Sequence, residues 1–172
     1  MSGVLVRDAT GQDAAACAGI YAPYVTGTAV TFETEPPGQA EMATRIARAQ
    51  EAHAWLVACT EQGTVLGYAY AGTFRPRRAY GRTAETSIYL APASGGRGVG
   101  RTLYTALLDR LRQQGYGTAV AGSTPPNPAS AALHRSLGFT QVGAFTRVGR
   151  KFGRWHGCDW WELALADGVE EP

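Results

Sequence analysis

The chain is poor in the features that mark a metal protein, a disulfide scaffold or a membrane protein. Only three cysteines occur in 172 residues, at Cys17, Cys59 and Cys158. An odd number at such wide spacing suggests neither a disulfide framework nor a thiolate metal cluster. None of the three histidines, His53, His134 and His156, stands three or four residues from another or from a cysteine, so no metal site is expected. The longest apolar runs, such as Ala54 to Cys59, are far too short to span a bilayer. The first residues carry only Arg7 as a basic group and no apolar core, so no signal peptide is expected. Charge of one sign is also missing: 16 basic and 14 acidic side chains leave a formal net charge of +2. That is too balanced for a nucleic-acid binder. Lysine is nearly absent, Lys151 standing alone against fifteen arginines. The bias fits a codon preference as well as it fits bidentate capture of carboxylate or phosphate. A soluble, reduced, cytoplasmic protein is the expectation.

What is present is globular. Hydrophobic residues make up 45% of the chain and charged residues 17%, which argues against disorder. The length fits a single domain over residues 1–172, able to bury roughly 70% of its extended surface without staples. Val4 to Arg7 reads as a short edge strand. Thr10, with Asp13 three residues on, is a variant capping box. It opens a helix whose apolar side uses Ala14, Cys17, Ala18, Tyr21 and Val25. Thr28 to Thr34 is rich in β-branched residues and is stopped by Pro36-Pro37-Gly38, and a second helix runs from Gln39 to Glu51.

Trp55 to Cys59, Val65 to Ala71 and Thr83 to Leu90 read as strands, with Glu61-Gln62-Gly63 as a turn between the first two. Arg75 to Arg82 is a long basic loop. Arg101 to Gln114 is a helix with Leu103, Leu107 and Leu111 four residues apart, ended by Gly115 and Gly117. Thr118 to Gly122 reads as a buried strand and Ala129 to Leu137 as a helix. Phe139 to Val148 and Phe152 to Ala166 read as strands around a turn at Gly153. The order β-α-α-β-β-β-α-β-α-β-β predicts an α/β domain with a mixed sheet.

Two clusters carry chemistry. Gly95-Gly96-Arg97-Gly98-Val99-Gly100 lies between a strand and a helix. Bare N–H groups beside the positive end of a helix hold phosphate; a plain tight turn is the other reading. The Rossmann spacing fails, because Leu103 stands where its third glycine belongs, and the Walker loop fails for want of a lysine. The second cluster is Asn127, Ser130, His134 and Leu137-Gly138-Phe139, after a buried strand. Taken singly, Asn127 suits a helix cap, the Leu-Gly-Phe run a helix stop, and His134 a surface histidine. Four arginines, Arg75, Arg77, Arg78 and Arg82, precede Glu85. They form either a solvated face or a fork for an anionic acceptor. Trp155, Trp160 and Trp161 read as core or subunit contact.

In combination, the glycine turn and the N-x-x-S…L-G-F run resemble the GNAT superfamily of N-acetyltransferases, over nearly the whole chain. The resemblance is nearest to the phosphinothricin and methionine sulfoximine acetyltransferases. It extends to Ile20-Tyr21 with Tyr24-Val25, Thr31 to Pro36, Gly67 to Gly72, Arg75-Pro76, Ala84 to Leu90 and Lys151 to His156. Gly95 departs from it, standing where the superfamily has Gln or Arg. One side-chain contact is therefore expected to be lost, with Arg97 as its replacement.

The resemblance implies a GNAT-type α/β domain, with a mixed, mostly antiparallel sheet flanked by helices and acetyl-CoA as co-substrate. Ile88, Tyr89 and Leu90 would offer strand backbone to the pantetheine arm. Gly96, Arg97, Gly98, Val99, Gly100 and Arg101 would hold the pyrophosphate, and Asn127 would also contact the coenzyme. Glu85 and His134 align with the catalytic pair. Arg75, Pro76 and Arg77, with Glu85, Thr86 and Ser87, align with the acceptor-contacting segments.

The chemistry suits these residue types. A protonated amine must lose a proton before it attacks a thioester, and a carboxylate can take it; without that role Glu85 is a strand residue or an arginine's partner. A strand N–H near Tyr89 is a source of oxyanion stabilisation. The leaving thiolate needs little help, so Tyr104 reads as core packing, with proton donation as its second reading. The implied activity is direct acetyl transfer, in a ternary complex, to a small amino acid such as phosphinothricin, methionine sulfoximine or methionine sulfone. The implied protein is a cytoplasmic homodimer with no nucleic-acid or membrane partner. Two alternatives stand beside it. One is an acetyl-CoA-binding regulatory module without transferase activity, and the other an N-acetyltransferase of another amine or of a protein N-terminus.

Overall fold

The computed structural model describes residues 3–166. In chain order it contains β1 (Leu5–Asp8), α1 (Ala14–Gly27), α2 (Gln39–Ala52), β2 (Trp55–Cys59), β3 (Val65–Thr73) and β4 (Thr83–Leu90). Then come α3 (Val99–Gln113), β5 (Thr118–Ser123), α4 (Pro128–Ser136), β6 (Thr140–Lys151) and β7 (Arg154–Ala164). The strands make one sheet in the order β1-β2-β3-β4-β5-β7-β6. Only β4 and β5 run parallel. This is the mixed, mostly antiparallel α/β architecture expected, with β1 at one edge.

Strand alternation sorts the core into two layers. Leu56 and Ala58 face the layer of α3, where Leu103, Leu107 and Leu111 are fully buried. Trp55 and Val57 face the layer of α1 and α2, with Cys17, Met42 and Ile46. A strand covered on both faces has no polar side to show, which is why 55–59 is an unbroken apolar run. Each of the three leucines contributes about 1.5–3 kcal/mol by burial. Thr10 closes the predicted capping box on Asp13, and Asp13 also receives two 2.8 Å hydrogen bonds from Arg7.

The stretch Thr28 to Thr34 forms bends, not a strand. Its threonines compete for the backbone: Thr28 Oγ1 donates to the Tyr24 carbonyl and accepts from Val30 N, and Thr31 Oγ1 accepts from Glu33 N. Arg45 grips Glu33 through two hydrogen bonds, and Lys151 Nζ donates to the Thr31 carbonyl at 2.8 Å. The β6–β7 hairpin is longer than the sequence suggested. Its two-residue turn has positive φ at both Phe152 (53°) and Gly153 (73°), the type I′ geometry that lets both strands continue up to it.

Candidate functional site

The site is built where β4 and β5 part. Their ladder has only three rungs, Thr83 with Thr118, Ala84 with Ala119, and Glu85 with Val120. β5 then stays with β7 as far as Ser123, while β4 runs on to Leu90. At the fork the Thr86 hydroxyl lies 3.1 Å from the Val120 carbonyl, in place of a fourth rung. A cleft of about 620 Å³ opens from this point.

The glycine turn forms one wall. Gly98 caps α3 with φ 76°, a conformation that L side chains rarely adopt. No side chain caps α3, so its first N–H groups remain for a ligand, as phosphate binding requires. Gly100 has a different reason. A Cβ there would stand 3.2 Å from Leu90 Cδ1, so this glycine sets how closely α3 packs on β4. The other expected coenzyme residues, Ile88, Tyr89, Leu90, Gly96, Val99, Arg101 and Asn127, line the same cleft, whereas Arg97 does not. Leu90 is already engaged, its carbonyl accepting the Tyr24 hydroxyl at 2.7 Å. Asn127 is both a cap and a cleft residue. Its Oδ1 accepts Ser130 N at 3.1 Å, which leaves the amide NH₂ as a donor.

His134 is buried at the cleft's inner end, only 4% exposed. The helix stop that follows fixes it. Gly138, with φ 90°, turns the chain so that Phe139 N donates to the His134 carbonyl, one bond of a Schellman motif. Phe139 then packs edge-on against the imidazole at 5.1 Å, and Trp161 stacks on it at 5.4 Å. Nδ1 lies 2.7 Å from the Ser130 carbonyl. A carbonyl only accepts, so Nδ1 carries the hydrogen. Burial lowers the imidazole pKa below its ordinary value, against the Ser130 hydrogen bond. Nε2 faces the Tyr104 hydroxyl at 3.3 Å, and that hydroxyl is 2.6 Å from Thr86 Oγ1. Tyr104 is fully buried, as a core residue should be, yet it also lines the cleft. Nothing in the sequence marks the hydroxyl contact, because it depends on tertiary packing between α3 and β4.

Glu85 does not join His134. Neighbours in a strand face opposite ways: Ile88 and Leu90 pack in the α3 layer and Tyr89 in the α1–α2 layer. Thr86 therefore faces α3 and the cleft, while Glu85 faces the α1–α2 side. Glu85 is half-buried; burial raises its carboxyl pKa, and the charge of Arg75 opposes the rise. Arg75, Pro76 and Arg77 are exposed in the loop before β4, with the Arg75 guanidinium 5.0 Å over the Phe74 ring. Thr86 and Ser87 line the cleft. A second cavity, about 460 Å³, lies between α2 and β3 over Trp55, Tyr68 and Tyr70, and takes in none of the glycine turn. Among the described residues no group of side chains could hold a metal ion, and no helix is long and apolar enough to cross a membrane.

The family signature Acetyltransferase (GNAT) domain matches residues 6–160. The chain belongs to the GNAT acetyltransferase family. It is 37% identical to phosphinothricin N-acetyltransferase of Streptomyces coelicolor, over 94% of this chain and 96% of that one. It is 38% identical to the L-methionine sulfoximine/L-methionine sulfone acetyltransferase of Pseudomonas paraeruginosa, over 93% and 94% of the two chains. Its fold matches a GNAT superfamily phosphinothricin acetyltransferase of Sinorhizobium meliloti solved with acetyl-CoA. That match has a TM-score of 0.93 and 37% identity, covering 100% of this chain and 94% of that one. A putative acetyltransferase of Salmonella typhimurium, also solved with acetyl-CoA, matches with a TM-score of 0.94 and 34% identity over 99% of both chains. The enzyme class and architecture expected from the sequence therefore hold.

Proposed function

We propose that this GNAT enzyme transfers the acetyl group of acetyl-CoA directly to the amine of a small amino acid of the phosphinothricin or methionine sulfoximine type. The observation that carries the reading is the placement of Glu85, a half-buried carboxylate one strand face away from the glycine-walled cleft. Its raised pKa makes it a better proton acceptor for an incoming ammonium. Arg75, whose charge acts on Glu85, and Arg77 in the same loop are exposed and make no ion pair among the described residues, so they are available to grip an anionic group. Backbone N–H groups from Gly96 to Arg101 would hold the pyrophosphate. Ile88 and Tyr89 would face the pantetheine arm, and the Asn127 amide would donate to the coenzyme.

The same reading makes the chain a cytoplasmic homodimer. In support, all three cysteines are free thiols, as a reducing compartment favours. Edge strand β6 leaves the apolar side chains of Val142, Phe145 and Val148 exposed, surface that a partner would cover.

The test is release of free thiol from acetyl-CoA with phosphinothricin, methionine sulfoximine, methionine sulfone and ordinary amino acids. Arg75→Lys and Arg77→Lys should each cost about 1.5–3 kcal/mol in kcat/KM on the anionic acceptors. They should spare an uncharged amine of similar size. Wild-type protein that releases thiol with none of the amino acids would overturn the assignment.

A further inference from the structure

An ammonium that ends as an amide has two N–H protons to place: one goes to solvent and one finishes on the coenzyme's sulfur. On the function proposed above, Glu85 accounts for the first. On the opposite face of β4 three buried side chains touch in series: Thr86 Oγ1 to the Tyr104 hydroxyl at 2.6 Å, and that hydroxyl to His134 Nε2 at 3.3 Å. The series ends at both extremes on carbonyls, Val120 beside Thr86 at 3.1 Å and Ser130 beside His134 Nδ1 at 2.7 Å.

The hydrogens can be counted. With the ring neutral and Nδ1–H given to Ser130, Nε2 is a lone pair; Tyr104 can donate to it while Thr86 donates to Tyr104, a state in which the Thr86 hydroxyl gives up its 3.1 Å bond to the Val120 carbonyl. Add one proton and every bond reverses: Nε2–H donates to Tyr104, Tyr104 to Thr86, and Thr86 to the Val120 carbonyl. Every hydrogen is donated in both states, and the Val120 carbonyl, in the last rung before the strands part, is the acceptor that the second state needs.

We propose that Thr86, Tyr104 and His134 form a proton wire that takes the acceptor's second proton at the Thr86 hydroxyl and gives it back to the departing sulfur. As the C–N bond forms, an N–H proton passes to Thr86 Oγ1, the Thr86 proton to Tyr104, and the Tyr104 proton to His134 Nε2. As the C–S bond breaks, its electron pair stays on sulfur and the three transfers run backward, leaving a thiol and a neutral wire. The imidazole is faced by Tyr104 from α3, Ser130 from α4, Phe139 ahead of β6 and Trp161 from β7. Arg135 lies over the Trp161 ring, and none of these is a carboxylate that would hold the proton. An imidazolium with a lowered pKa returns its proton downhill to a thiolate whose conjugate acid titrates near ~8.5.

The experiment has two arms. In the free protein, ¹⁵N NMR should find His134 as the Nδ1–H tautomer, with its Nε2 signal displaced in Tyr104→Phe; an Nε2–H tautomer would overturn the wire. In thiol-release assays with methionine sulfoximine and with water alone as acceptor, Tyr104→Phe and Thr86→Val should each lower kcat about 10²-fold. Acetyl-CoA affinity should hold, and Thr86→Ser should recover most of the loss. Losses in Tyr104→Phe and His134→Ala should not multiply in the double variant. The curved dependence of wild-type kcat on the D₂O fraction should straighten in Tyr104→Phe. Multiplying losses, an unchanged isotope curve, or equal activity of Thr86→Val and Thr86→Ser would each refute the wire. Turnover with water but with no amino acid would sink the acceptor assignment and leave the wire under test.

Discussion

The ring of Phe32 packs directly on the backbone of Gly149, where a Cβ would collide with it. With the bond from Lys151 Nζ to the Thr31 carbonyl, this pins the loop after α1 to the β6–β7 hairpin. Gly149→Ala should displace Phe32, a half-exposed ring that can swing aside, so the melting temperature should move by no more than a few degrees. The loop lies on the same side of the sheet as Glu85. Acceptor KM should therefore rise while acetyl-CoA affinity measured by calorimetry stays constant.

Glu85→Gln should lower kcat by about 10²-fold or more, and the deficit should shrink as pH rises toward the amine's own pKa. Stability should move the other way. A carboxyl whose folded pKa is raised by burial loses stability as pH climbs through that pKa. At neutral pH the Gln variant should thus resist urea better than wild type. The gap should close below the carboxyl's unfolded pKa, and a gap that persists there would contradict the burial argument.

Asp13 behaves oppositely. The Arg7 hydrogen bonds hold its carboxyl below the ordinary range, with Thr10 N adding to the effect against burial. Its contribution is present above the unfolded pKa and lost as pH falls through the lowered folded one. Asp13→Ala should cost about 1–2 kcal/mol at neutral pH. Urea titrations of the two proteins should converge in acid.

Gly98→Val should weaken acetyl-CoA binding by about tenfold or more, since a β-branched residue at positive φ distorts the cradle. No side chain crowds that position, so the fold should survive, as circular dichroism can verify. Gly100→Val should instead destabilise the protein, because the added side chain meets Leu90 and Leu133.

Much of this was legible in the sequence. The leucines of α3 and the all-apolar β2 announced their burial through spacing and composition, and Asn127 and the Leu-Gly-Phe stop announced their local geometry. Two kinds of fact were not. The loop from Thr28 to Thr34 has strand-like composition, but its threonine hydroxyls take the backbone's partners, which composition does not register. The Thr86–Tyr104–His134 series joins β4, α3 and α4, residues far apart in the chain whose contact exists only once the layers have packed. Glu85 and His134 also look like one pair in the sequence, although strand parity sends Glu85 to the other side of the sheet.

That parity has an evolutionary consequence. On the proposed function, the acceptor would be read by loops around 28–36 and 74–82 on the Glu85 side of the sheet, and the coenzyme by α3 and α4 on the other, with the fork between β4 and β5 in common. Drift in the acceptor loops can recruit a new amine without disturbing the donor site. Separate donor and acceptor sites, each free to change without the other, would then follow from the way a strand sends alternate side chains to opposite faces.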